Sequence, residues 1–192
     1  MTAPILGEWP PQFTTGWGRQ MLCIGHRLHE QPLFSLPALA ELIERCPPAH
    51  YGLVQTSGQD DARRRWREGT IGGVPGLQVI DAIGAHSLWL NLRDVATVDP
   101  RYGELLQAAY AELAQHVPDF VPRDLKMGIL IPSPGATVHY HCDLPGQALW
   151  QIAGRKRVFV YPATAPYLHP EGLENIAYSG FEFKLPARIR VE

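Results

Sequence analysis

The chain reads as an α+β protein in which helices of the N-terminal part pack against a curved antiparallel sheet. Three observations predict this. Two stretches place apolar residues at helical spacing behind clear N-caps. Several short stretches run apolar or alternate at strand length between turn residues. No internal repeat or heptad pattern links them. At 192 residues with 45% apolar side chains, the material suffices for a single core.

The first helix starts after Ser35, whose hydroxyl suits an N-cap, with Pro37 in the first turn. Leu36, Leu39, Leu42 and Ile43 then share one face, and Cys46-Pro47-Pro48 stops the helix. A strand is expected at 51–55. The glycine-rich passage 69–76 has neither a phosphate-loop lysine nor a strand-to-helix context, so it is read as a loop. A second strand is expected at 88–92. Asp99-Pro100 opens the second helix, which runs to about His116 with Tyr102, Leu105, Leu106, Ala109 and Leu113 as its apolar stripe. Beyond Pro118 the pattern becomes one of short strands at 128–132, 137–143, 148–152 and 157–161, with Phe181-Glu182-Phe183-Lys184-Leu185 alternating like one more. The change divides a single domain, 1–192, into a helix-containing part, 1–125, and a sheet-forming part, 126–192.

A net charge of −2 and a pI near 6.4 give no footprint for bulk nucleic-acid binding. The one basic cluster, Arg63-Arg64-Arg65-Trp66-Arg67, is flanked by Asp60-Asp61 and Glu68 and is read as a solvated, salt-bridged face. Three cysteines without CxxC spacing fit a reducing compartment. The start lacks a basic, apolar leader, and no apolar run reaches membrane-spanning length. A cytoplasmic protein without a membrane partner is therefore expected.

Chemistry concentrates in Val138-His139-Tyr140-His141-Cys142-Asp143. In a strand, alternate residues return to one face, so His139, His141 and Asp143 would point together while Cys142 packs away from them. The following stretch, 147–161, reads as two apolar runs split by a turn at Gly154, a hairpin whose second run opens with Lys156 and Arg157. Two imidazoles and one carboxylate on one face of an octahedron suit Fe(II) and leave positions for a chelating co-substrate and oxygen. A partly desolvated lysine can neutralise a substrate carboxylate. Residues i, i+2 and i+4 of one strand span roughly 13 Å between end Cα atoms, so three ligands in a row reach one ion poorly. With 8 histidines, a bare His-x-Asp is a weak signal and the longer string carries the argument.

That string, His141-x-Asp143, Gln151-x-x-Gly154-x-Lys156-Arg157 and an apolar run ending in Tyr161-Pro162, resembles the cupin-like, JmjC-related branch of the Fe(II)/2-oxoglutarate oxygenases, which includes the asparaginyl hydroxylases. The likeness is specific over about 133–162; upstream, Leu88-Trp89-Leu90-Asn91-Leu92 is similar to the strand that precedes the core in these proteins. The resemblance implies that the sheet is part of a double-stranded β-helix, the cupin or jelly-roll architecture. It implies His141 and Asp143 as ligands of Fe(II), and Lys156, fifteen positions after His141, as the residue that binds the far carboxylate of 2-oxoglutarate. His139, Gln147, Gln151 and Trp150 are the additional ligand or pocket candidates. The implied partners are the small-molecule co-substrate and a protein or small-molecule substrate.

In the family a third ligand, a histidine, comes from a later strand. After Asp143 the only histidine here is His169, in the loop-like Tyr167-Leu168-His169-Pro170. A C-terminally shortened domain is therefore expected, with unpaired barrel edges that a homodimer would cover. Three readings stay open: a hydroxylase with an impaired site, a non-catalytic cupin-like binding or interaction module, and a metal cupin using His139 and His141 as a His-x-His pair, which lacks the glutamate usual a few residues on. His26 and His29, three apart, sit among Gly25 and Pro32 in a loop or strand context and are not read as ligands; His50, His86 and His116 are read as structural or surface residues.

Overall fold

The computed structural model describes residues 3–55, 67–138, 141 and 147–168. In chain order these give α1 (Pro11–Gly16), α2 (Leu36–Arg45), β1 (Tyr51–Gln55), β2 (Arg67–Gly69), α3 (Gly76–Ala85), β3 (Leu88–Leu92), α4 (Val95–Val98), α5 (Pro100–His116) and β4 (Ile129–Pro132), with single 3-10 turns at Leu28–Glu30, Pro32–Phe34 and Pro48–His50. The chain divides into two compact units, Met1–Ala136 and Thr137–Glu192. Every named helix and strand belongs to the first, so its architecture is α+β with a four-stranded antiparallel sheet of order β2-β1-β3-β4.

Register explains which face of that sheet is dry. Tyr51 pairs with Leu92 and Leu53 with Leu90, while Leu92 pairs with Ile129 and Leu90 with Ile131. These six side chains therefore share a face, and all of them belong to the core or pack against it. α2 adds Leu42 and Ile43 to this core, α3 adds Val79 and Ile83, and Val95 of α4 and Tyr102 of α5 close it. Leu90 and Leu92 are wholly buried, each contributing roughly 2 kcal/mol by the usual side-chain transfer scale. The other face carries Gly52, Val54, Trp89, Asn91, Leu130 and Pro132, of which Leu130 is exposed.

Both expected helices form, with the expected caps. Ser35 Oγ accepts the Ala38 N–H ahead of α2, and Asp99 Oδ1 accepts the Arg101 N–H ahead of α5. The buried stripe of α5 is Tyr102, Leu106, Ala109 and Leu113. In α2 the buried residues are Ala40, Leu42 and Ile43, whereas Leu36 is 60% exposed: it lies on the expected side but in the first turn. β1 and β3 fall where expected, and β4 begins one residue late.

Several elements escape the sequence pattern. Arg67, read as the end of a solvated basic cluster, instead starts β2 and pairs with Gln55; residues 63–66 of that cluster lie outside the described residues. α1, α3 and α4 were not expected. α3 opens at Gly76, whose N–H donates to Glu44 Oε1 at 2.7 Å. A Cβ at that position would collide with the Ala40 carbonyl oxygen, so α2 and α3 touch backbone to backbone there and only glycine fits.

The amino-terminal arm is held by polar contacts. Ile5 and Leu6 donate their N–H groups to the Glu112 carboxylate of α5 at 2.8 and 2.9 Å, and Leu6 bridges to His26. Trp9 stacks on His116 at 4.9 Å and donates to Thr14 Oγ1, which in turn donates to the His116 carbonyl.

In the second unit the expected strands 148–152 and 157–161 do not form: these residues carry no strand pairing. The turn between them is real, with bends at Ala153 and Gly154 and Gly154 at φ +72. The pattern of apolar residues was strand-like, but a strand exists only where its N–H and C=O groups meet a partner, and none of the described residues offers one. Of the expected strand 137–143, Thr137 and Val138 are unpaired and His141 lies in an isolated bridge; the other residues of that stretch, and 181–185, lie outside the described residues. Among the described residues no helix is long and apolar enough to cross a membrane.

Candidate functional site

The residues singled out by the sequence lie in the second unit. Of the metal pair, His141 is described and exposed, while Asp143 lies outside the described residues, as do His139 and His169. Gln147 and Gln151 are exposed and Trp150 is half-buried. The Gln151 amide folds back locally, its Nε2 donating to the Ala153 carbonyl across the bend that Gly154 completes.

Lys156 follows this bend and is exposed. The sequence suggested a shielded cation at this position. No hairpin ladder forms among the described residues to bury its stem, and the side chain is exposed. Among the described residues no group of three or more His, Cys, Asp or Glu is placed to hold a metal ion. The described part of the site is therefore an imidazole, a bend stabilised by a glutamine, and a lysine, all accessible from solvent.

The strongest electrostatic centre among the described residues lies elsewhere, at the start of α5. Asp99 is buried, yet Arg101 meets it through Nε and Nη2, the latter at 2.6 Å, and Arg45 Nη1 reaches it at 3.2 Å. The Arg101 hydrogen bonds, reinforced by both guanidinium charges, outweigh burial and hold the carboxyl at about 2. Next to it burial, with the Asp99 charge adding, pushes the Tyr102 hydroxyl up to about 12, and that hydroxyl donates to the Leu33 carbonyl at 2.6 Å. Burial also raises the Cys46 thiol, against the pull of Arg93. Each of these groups closes a backbone or side-chain bond inside the fold, so they tie elements together and present no reactive atom to a ligand. Asp99-Pro100 signalled the cap in the sequence; that two arginines would join it depended on the fold.

Three further histidines of the first unit have partners within the fold. His26 Nδ1 accepts the Leu28 N–H at 3.2 Å, which leaves the proton of the neutral ring on Nε2 and no lone pair for a metal. His29 lies 3.8 Å from the Glu30 carboxylate at the surface. His50 contacts the Arg93 carbonyl and Thr97. No protein-family model, curated protein or solved structure matches this chain.

Proposed function

We propose that the chain carries the metal and co-substrate half of a cupin-like, JmjC-related Fe(II)/2-oxoglutarate oxygenase site on a portion of a double-stranded β-helix. The observation that carries this reading is the spaced string His141-x-Asp143, Gln151-x-x-Gly154-x-Lys156. Two features support it. The His141 ring is exposed to a ligand arriving from water, and the Gly154 bend separates Gln151 from Lys156 as the pattern requires. The donor chemistry also fits: an imidazole and a carboxylate suit Fe(II), and an ammonium suits a dicarboxylate.

In this reading His141 and Asp143 hold the metal, with His139, His169 or a residue of a second chain as the additional ligand. Lys156 neutralises the far carboxylate of 2-oxoglutarate and so orients it. Gln147, Gln151 and Trp150 line the approach, the two amides offering donors and acceptors and the indole a flat apolar wall. When bound, iron and 2-oxoglutarate supply oxygen activation for hydroxylation of a protein or small-molecule substrate. The free Cys23 thiol, exposed, supports a reducing, cytoplasmic setting.

A second reading is a non-catalytic cupin-like binding or interaction module. It draws on the sequence between Asp143 and Glu192, whose single histidine, His169, stands in the loop-like Tyr167-Leu168-His169-Pro170 context.

Anaerobic Fe(II) titration with and without 2-oxoglutarate separates the two. A weak visible charge-transfer band that needs both components, is lost in His141→Ala and Asp143→Ala, and demands about tenfold or more 2-oxoglutarate in Lys156→Ala is the expected result. Unchanged metal affinity in the two ligand variants would overturn the assignment, and a folded wild-type chain without the band decides for the binding module.

A further inference from the structure

We propose that residues 157–161 pair, antiparallel and about a two-fold axis, with the same residues of a second copy of this chain, Phe159 lying opposite its own counterpart. Val158, Phe159 and Val160 are 54, 50 and 58% exposed. Three consecutive β-branched or aromatic residues in water form the sort of patch that marks an interaction surface. None of the three makes a backbone bond to another described residue.

The flanking residues say what fits. Arg155, Lys156 and Arg157 precede the run and Tyr161-Pro162 follows it. A parallel copy would lay two basic triplets side by side. An antiparallel copy centred on Phe159 sends them to opposite ends and sets Arg157 against the partner's Tyr161, twice over. Val158 then faces the partner's Val160. A shift of two residues toward the basic end would instead set Lys156 against a valine and Arg157 against a phenylalanine.

Once paired, alternate side chains divide between two faces. Arg157, Phe159 and Tyr161 form a cationic and aromatic stripe on one face, and Val158 and Val160 an aliphatic one on the other. An Arg–Tyr contact of this kind contributes about 0.5–1 kcal/mol and each apolar cross-strand pair about 0.2–1 kcal/mol. Pro162 has no N–H and ends the ladder. A five-residue ladder is small beside stable interfaces, so the association is concentration-dependent.

This inference is independent of the metal reading, because its test measures association and the other measures an iron spectrum. Sedimentation velocity of the full chain over a concentration series, in wild type, Phe159→Lys and Phe159→Glu, tests it. Wild type is expected to dimerise. Each variant places like charges on the two-fold axis and should weaken self-association about tenfold or more, with the melting temperature unchanged because the site is exposed. Mixing the two variants should restore a heterodimer, since only a residue opposite itself pairs lysine with glutamate. A wild-type chain that stays monomeric, variants that associate like wild type, or a mixture that does not recover each overturns the proposal.

Discussion

Asp99 does two things with one carboxylate. Its Oδ1 caps α5 through the Arg101 N–H, and its Oδ2 takes guanidinium contacts from Arg101 and Arg45. Its folded value of about 2 lies below the 3.8 of an ordinary aspartate, so the ionised form favours the native state. The resulting stability is fully present above pH 3.8 and is lost as pH falls through about 2. Because Arg101 is itself well exposed, water screens the pair and the contribution is small. Asp99→Ala should also remove the cap, for a loss of about 2 kcal/mol at neutral pH. Urea unfolding at pH 7 and at pH 2.5 would check both: wild type should lose more stability than the variant on acidification, and equal losses would remove Asp99 from the account.

The two glycines of α3 look alike in sequence and differ in the fold. Gly76 faces the α2 backbone with no room for a methyl group, whereas a Cβ at Gly84 would meet nothing within 4 Å. Gly84→Ala should therefore stabilise the protein by roughly 0.5–1 kcal/mol through helix propensity alone. Gly76→Ala should cost about 2 kcal/mol or more, because α3 must shift off α2. Opposite signs in thermal melts are expected; equal signs would mean that the α2–α3 approach is wrong. The same glycines explain why α3 was not legible: they dilute its helical pattern, and Gly76 is present to let two backbones meet, which no local signal records. Ser35 and Asp99 were legible because capping acts over three residues. Residues 148–152 and 157–161 misled because β pattern without a partner is not a strand. Of the candidate site, the residue types and their spacing were legible, and the bend at Gly154 agrees with them. The shielding of Lys156 was not, since burial is decided by chain segments far from it in sequence.

At the scale of the molecule, every residue of the core cluster and all four named strands lie within Met1–Ala136. A fragment of residues 1–136 should unfold cooperatively in urea with a near-ultraviolet circular dichroism signal; a compact fragment lacking that signal would show the core to be incomplete. The arm at Ile5 and Leu6 adds a condition of another kind. Glu112, which holds it, lies 107 positions after Ile5. A ribosome delivers the amino end first, so the arm emerges long before its latch has been made. Closing so long a loop costs roughly 4 kcal/mol of chain entropy, which favours docking onto an α5 already packed on the sheet. During synthesis Ile5 and Leu6 thus leave the ribosome long before they can be fastened, and until then the segment that carries Trp9, Phe13 and Trp17 lacks its latch.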